Sequence, residues 1–411
     1  MKKILGITLG IMTALGGFVD LGQIVFTMQA GAVFGYQLLW SVVLGTIGII
    51  VYMEMCGRIA VVTGQPVFAI VRSRLGYRLG LTTLIASNLL NLITCAAELG
   101  GIATVLHLLT GWPERLLLVS STLILGAIVL LLKFKWIERT FGLAGILMVV
   151  FAVSAVLLKP DWRKVGKGLL PFSSHVDPHQ SALYAFFAVG IFSALLMAYE
   201  VHFYSSGAIE ENWKPKDLGE NFMVASLGSV LGSLLTAALL VLGAMVLLPT
   251  HIYPELLSTT ILAGSLPFAE KGLTLALLGV LATLAGAAIE TALSGGYNLC
   301  QFFRRPWRKT QPPNKVRLYT TTWIAILLVA LVIVATGIRP LLLVNISVVF
   351  GMVVLPLTYY PILRLAGDKK IMGKHVNSRF DDFLGIVFLL LITVAAVAAI
   401  PLMIITHSGQ P

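Results

Sequence analysis

The constraint that leaves this chain fewest options is its succession of apolar runs of about 20 residues, each long enough to cross a hydrocarbon core of roughly 30 Å. Of its 411 residues, 58% are hydrophobic and only 11% are charged. A water-soluble domain needs a substantially polar surface, which that balance does not supply. The expected fold class is an all-α polytopic membrane protein. Spans are placed at about 4–28, 36–56, 79–109, 114–133, 138–158, 180–206, 220–249, 270–303, 316–337, 340–366 and 382–405, about eleven in all by the length criterion. The longest connections, 159–179, 250–269 and 304–315, leave no room for a soluble domain, so 1–411 reads as one transmembrane unit. The chain opens with Met1-Lys2-Lys3, as a signal peptide would. Its apolar stretch continues past a signal core, with no convincing small-residue cleavage site before Asp20, and it reads as a retained helix.

The formal net charge is +11. In a soluble protein that would suggest nucleic acid; here the basic residues sit in short connections between spans, as the positive-inside rule expects. Most of them, among them Arg58, Arg72, Arg74, Lys214, Arg304, Arg308 and Lys370, fall on the side of the N-terminus. The N-terminus is therefore expected in the cytoplasm and the C-terminus outside, in a bacterial inner membrane. Arg163, Lys164 and Lys167 run against the rule. The linker Arg304-Arg305-Pro306-Trp307-Arg308-Lys309 reads as a topology signal rather than a binding patch. Cys56, Cys95 and Cys300 make no CxxC pair and imply no disulfide framework. With no nucleophile–base pair, HExxH or nucleotide loop, an enzyme is not expected. Nor is a permanently bound cofactor, a nucleic-acid partner or an obligate protein partner; the expected partners are the bilayer and a transported solute.

Acids inside the spans carry the functional signal, because a carboxylate at membrane depth is costly and needs a partner or a wet cavity. There are five: Asp20, Glu54, Glu98, Glu200 and Glu290. Glu54 lies near a helix end, where it reaches water. Asp20 sits in Asp20-Leu21-Gly22-Gln23, where Gly22 weakens the helix; an unwound turn would expose carbonyls beside the Asp20 carboxylate and the Gln23 amide. The sixth span has a second polar interruption, Ala198-Tyr199-Glu200-Val201-His202. Paired interruptions in corresponding helices of two halves point to a midplane transport site. Facing each other, Asp20 and Glu200 would make an oxygen-rich site suited to a hard divalent cation such as Mg²⁺, Ca²⁺ or Mn²⁺, with Gln23, Tyr199 and the Ala198 carbonyl beside it. The competing reading makes Glu200 a protonated structural acid and Asp20 an ordinary paired helix residue. Glu98 and Glu290 read as proton-bearing or vestibule groups, or for Glu290 as a hydrogen bond between helices. His202 is a weaker ligand or proton carrier.

These segments resemble the NRAMP family of divalent metal transporters. Asp20-Leu21-Gly22-Gln23 with Gln29-Ala30-Gly31-Ala32-Val33-Phe34-Gly35-Tyr36 is similar to that family's DPGN-x5-QAGAxFGY stretch. Glu98-Leu99-Gly100-Gly101 resembles its third-helix acidic segment. Glu290-Thr291-Ala292-Leu293-Ser294 with Gln301-Phe302-Phe303 resembles its eighth helix. Asp368-Lys369-Lys370-Ile371-Met372-Gly373 and Val376-Asn377 resemble the loop before its eleventh. The resemblance implies a LeuT-type fold: two inverted five-helix repeats (about 4–158 and 180–366), broken helices one and six, and an added helix at about 382–405.

The departures fall on functional positions. Proline and asparagine of DPGN become Leu21 and Gln23, and the sixth-helix Met-Pro-His is read onto Ala198-Tyr199-Glu200. A third-helix Asp of the proton route falls on Cys95, a later histidine on Ser205 and a tenth-helix glutamine on Val348. Loss of the soft thioether and gain of a carboxylate favour hard ions, which resembles the NRAMP-related magnesium transporters. The expected function is uptake of Mg²⁺ or Mn²⁺ by alternating access, with weak or absent proton coupling and poor transport of Cd²⁺. The alternative is a LeuT-type carrier of a small organic cation, amine or amino acid, with Tyr199 and Phe203 lining the pocket and Asp20 as counter-ion.

Overall fold

The computed structural model describes residues 19–171 and 176–409. The stretch of the first expected span up to residue 18 lies outside them. In chain order the helices are α1 (Leu21–Phe34), α2 (Leu39–Thr63), α3 (Val67–Arg74), α4 (Tyr77–Thr110), α5 (Glu114–Leu131), α6 (Phe134–Gly145), α7 (Val149–Leu157), α8 (Trp162–Gly168), α9 (Ser181–Ala194), α10 (Ala198–Glu210), α11 (Leu218–Leu242), α12 (Leu257–Ser265), α13 (Ala269–Phe302), α14 (Arg317–Ala335), α15 (Pro340–Ala366), α16 (Lys369–Met372) and α17 (Arg379–Ile405). Ten helical stretches among the described residues are long and apolar enough to cross a bilayer. They correspond to the second to eleventh expected spans; α6 and α7 form one of them, as do α9 and α10.

Two boundaries differ from expectation for a physical reason. The first span runs on to Phe34 rather than 28, and stops where Gly35 turns at φ 60°. The second was expected to end at Cys56, where the apolar run gives way to Gly57 and Arg58. It continues to Thr63 because Arg58 does not have to leave the helix: Glu54, one turn earlier, pairs with its guanidinium at 2.9 Å. Glu54 is thus an ion-pair partner rather than a group reaching for water. Arg58 also donates to the His375 carbonyl and to Asn377 Oδ1, both at 2.9 Å. That fixes the connection before α17, the segment with the family-like Val376-Asn377, against α2.

At the centre, α4 and α13 lie along each other, with α15 against α4 and α11 against both α1 and α2. Small residues bring backbones together, as they do where there is no hydrophobic drive between lipid-bathed helices. A Cβ on Gly31 would run into the carbonyl of Leu240, and one on Gly243 into the carbonyl of Met28. This reciprocal pair sets α1 backbone to backbone against the end of α11, where Gly243–Leu247 widens into a π turn. Gln29 of the same stretch donates to the Pro254 carbonyl at 3.0 Å, holding the connection that leads to α12. The QAG-like segment is therefore a packing surface on three counts.

Candidate functional site

The first interruption begins one step earlier than the sequence suggests. Leu21, Gly22 and Gln23 are helical, and Asp20 is the extended residue that caps α1, accepting from the Gln23 N–H at 2.8 Å. Gly22 is needed for room rather than for unwinding: a Cβ there would meet Asp20 Oδ1 at 3.1 Å and a methyl of Val348 at 3.3 Å. The second interruption is also displaced. It comprises Leu195, Leu196 and Met197, between α9 and α10, while Ala198 to His202 already lie in α10. The expected open carbonyl of Ala198 is thus at a helix start. The carbonyls of the break belong to residues before it: that of Ala194 accepts from Gln23 Nε2 at 2.7 Å, and that of Leu196 from the Tyr359 hydroxyl at 3.0 Å.

These bonds join the two interruptions. The hydroxyl of Tyr199, in the first turn of α10, donates to Asp20 Oδ2 at 3.2 Å. Gln23 spans the same gap with its amide nitrogen, leaving its buried Oε1 without a partner. Glu98, from the middle of α4, accepts the N–H of Leu21 at 3.0 Å. It satisfies one of the orphan donors at the start of α1, where a negative charge is also favoured by the helix dipole.

Glu200 is buried, and both its carboxylate oxygens lack a hydrogen-bond partner. Tyr199 is itself fully buried, with its hydroxyl on Asp20. Among the described residues the one buried Lys or Arg is Arg58, which is committed to Glu54. Asp20, Glu98, Glu200 and Glu290 are all buried without a fixed positive charge free to pair with them among the described residues, and low dielectric makes that costly unless protons or a cation enter.

His202 does not join this group. Its ring packs on Phe68 of α3, centroids 4.4 Å apart, with both nitrogens buried and unpartnered. Cys95 Sγ faces the Ala288 carbonyl at 3.7 Å, and the Ser205 hydroxyl accepts the Val67 N–H at 3.0 Å, which starts α3. No three His, Cys, Asp or Glu side chains among the described residues form a ready cage for a metal ion. An ion held here would take at most a pair of carboxylates and complete its shell with amide and carbonyl oxygens, sulfur or water.

The sequence reading passed over Met197. It stands in the second break as the cap residue of α10, buried against Ala194 and Tyr199. The argument that sulfur is missing rested on placing the methionine position at Ala198. One residue earlier, Met197-Ala198-Tyr199 keeps a thioether in the break, so that argument falls.

A family profile described as natural resistance-associated macrophage protein-like (Nramp) matches residues 10–401. The divalent metal cation transporter MntH of Levilactobacillus brevis is 26% identical over 396 residues, covering 90% of this chain and 83% of that protein. MntH of Bacillus subtilis is 24% identical over 383 residues, covering 88% of this chain and 84% of the relative. Among solved structures, the Eremococcus coleocola manganese transporter in complex with an aromatic bis-isothiourea substituted compound superposes with a TM-score of 0.75 at 20% identity, covering 98% of this chain and 88% of the other. MhsT in complex with L-phenylalanine gives 0.66 at 14% identity, with 98% of both chains covered. The fold is of the LeuT type, and among the described residues the chain is interrupted between α9 and α10.

Proposed function

The chain belongs to the Nramp family, and on that premise we propose that it carries divalent metal ions across the membrane by alternating access, binding each ion between the two helix breaks. The observation that carries this reading is the join between the two interruptions, where Tyr199 donates to Asp20 and Gln23 to the Ala194 carbonyl, with Glu200 next to Tyr199 in the chain, buried and unpartnered, and no buried cation free among the described residues. A divalent ion supplies that charge. Asp20 and Glu200 are its carboxylate donors, and Gln23 Oε1 its amide oxygen. Tyr199 orients Asp20. The two repeats, about 4–158 and 180–366, rock about this point.

An oxygen-dominated shell favours hard ions, Mg²⁺ and Mn²⁺. The thioether of Met197 adds a soft donor that suits Mn²⁺ better than Mg²⁺, so Mn²⁺ is the preferred substrate and Mg²⁺ the competitor. The names of the relatives, divalent metal and manganese transporters, support this order. Proton coupling is weak, because Cys95 and, in the register that puts the methionine at Met197, Tyr204 stand where the family resemblance puts its proton-route residues, and both face structural partners.

Uptake of Mn²⁺, Mg²⁺ and Cd²⁺ into proteoliposomes tests the reading. Asp20→Ala and Glu200→Ala should each lower uptake at least about tenfold, equivalent to roughly 1.4 kcal/mol of lost ion stabilisation. Met197→Ala should depress Cd²⁺ and Mn²⁺ transport more than Mg²⁺ transport. Wild-type rates in both acid variants would place the ion elsewhere.

A further inference from the structure

Arg74, Arg304 and Lys370 come from three different parts of the chain: the last turn of α3, the residues after α13 and the start of α16. They meet around one open hollow of about 600 Å³, which Thr63, Gln65 and Ser73 help to line. No Asp or Glu lines it. The nearest acid in sequence to Lys370 is Asp368, and its carboxylate caps α16 by accepting the Lys370 N–H at 2.8 Å.

Other cations at this end of the bundle have evident employment. Arg58 binds Glu54. Arg72, two residues before Arg74, donates to the Phe302 carbonyl at 2.9 Å and lies over the rings of Tyr77 and Phe302. Arg308 donates to Asn212 Oδ1 at 3.3 Å. Among the described residues Arg74, Arg304 and Lys370 have no hydrogen-bond acceptor or ion partner for their side chains. A topology signal explains why cations lie on this side. It does not explain why three of them, unpaired, should converge on one concavity.

Their supports are fixed. Arg72 ties the end of α3 to the end of α13, and Arg58 ties the 375–377 segment beyond α16 to α2. Arg304 takes a left-handed φ of 55° as the residue after the cap of α13, where its own N–H returns to the Gln301 carbonyl at 3.2 Å and that of Arg305 to the Cys300 carbonyl at 2.8 Å, so the chain leaves the helix in a set direction.

We propose that this hollow is a binding site for a phosphate-bearing anion. Two guanidinium forks and one ammonium converge without competing acids, which is the donor set that phosphate oxygens select. The ligand would cross-link α3, the end of α13 and the 367–372 connection. It does not depend on the transported ion. By the positive-inside rule this end faces the cytoplasm, so the phosphate arrives either as an inner-leaflet lipid headgroup or free in solution.

Thermal unfolding of the purified full chain in detergent, with added phosphatidylglycerol, phosphatidylcholine or inorganic phosphate, tests the site. The variants are Arg74→Gln/Arg304→Gln/Lys370→Gln and, as control, Lys133→Gln/Lys135→Gln, which removes exposed charge elsewhere. Phosphatidylglycerol should raise the wild-type and control midpoints by several degrees and leave the triple variant unmoved, with phosphatidylcholine inert throughout. An equal shift from inorganic phosphate alone, lost in the triple variant, would identify the free anion as the source. Single variants, each expected to lose part of the shift, guard against a misfolded triple. No shift with either anion, or an equal loss of the shift in the control, overturns the proposal.

Discussion

Leu21 gives its N–H to a carboxylate 77 residues further along the chain, and that single bond separates two roles that an acid in a membrane helix can have. Glu98→Gln keeps an acceptor oxygen for the N–H; Glu98→Ala leaves the donor buried and unsatisfied, which costs about 1–3 kcal/mol. The alanine variant is therefore expected to melt several degrees lower, and the glutamine variant to melt near the wild type, in thermal unfolding of the purified protein. Similar melting of both variants would remove Glu98 from its capping role. Gln23 has a comparable double duty. Its nitrogen is committed to Ala194, so its oxygen has a fixed direction rather than a free rotor.

At the scale of the helix, α1 and the end of α11 cross backbone to backbone through Gly31 and Gly243. A methyl at either position collides with backbone, and overpacking of this kind costs typically about 1–3 kcal/mol. Gly31→Ala and Gly243→Ala are expected to lower the melting temperature. Gly126→Ala, on a helix face where a Cβ would meet nothing within 4 Å, should be neutral or slightly stabilising, because alanine favours a helix over glycine by about 1 kcal/mol. The spans themselves were legible in the sequence, since each is long and apolar on its own account. The helix breaks were legible only as neighbourhoods. The acids marked them, but their limits are set by partners distant in sequence: Glu98 for α1, and Gln23 and Tyr359 for the carbonyls ahead of α10. No local pattern in Leu195-Leu196-Met197 announces an unwound turn, and Met197 was missed as one more apolar residue in an apolar helix. The convergence of Arg74, Arg304 and Lys370 was illegible for the same reason, being a product of three connections folded together.

For the whole molecule, the distribution of Lys and Arg makes a claim about sidedness that chemical labelling can check. The three native cysteines are buried, so an introduced thiol reports with little background. His407→Cys should react with a membrane-impermeant maleimide added to intact cells, and Arg305→Cys only after permeabilisation. The opposite pattern would invert the orientation and, with it, the direction from which the ion enters.

The burial of Asp20 and of the unpartnered Glu200 also has a consequence for the rhythm of a carrier built this way. On the proposed function, the loaded centre is neutralised by its cargo, while the empty one has to reorient with buried carboxylates that no fixed positive charge compensates. The return of the vacant carrier is then the slow half of the cycle, and swapping one ion for another outruns net accumulation. Tracer Mn²⁺ leaving preloaded proteoliposomes should quicken severalfold when unlabelled Mn²⁺ is supplied on the far side, and a tracer efflux indifferent to that addition would show that the vacant state crosses as readily as the filled one.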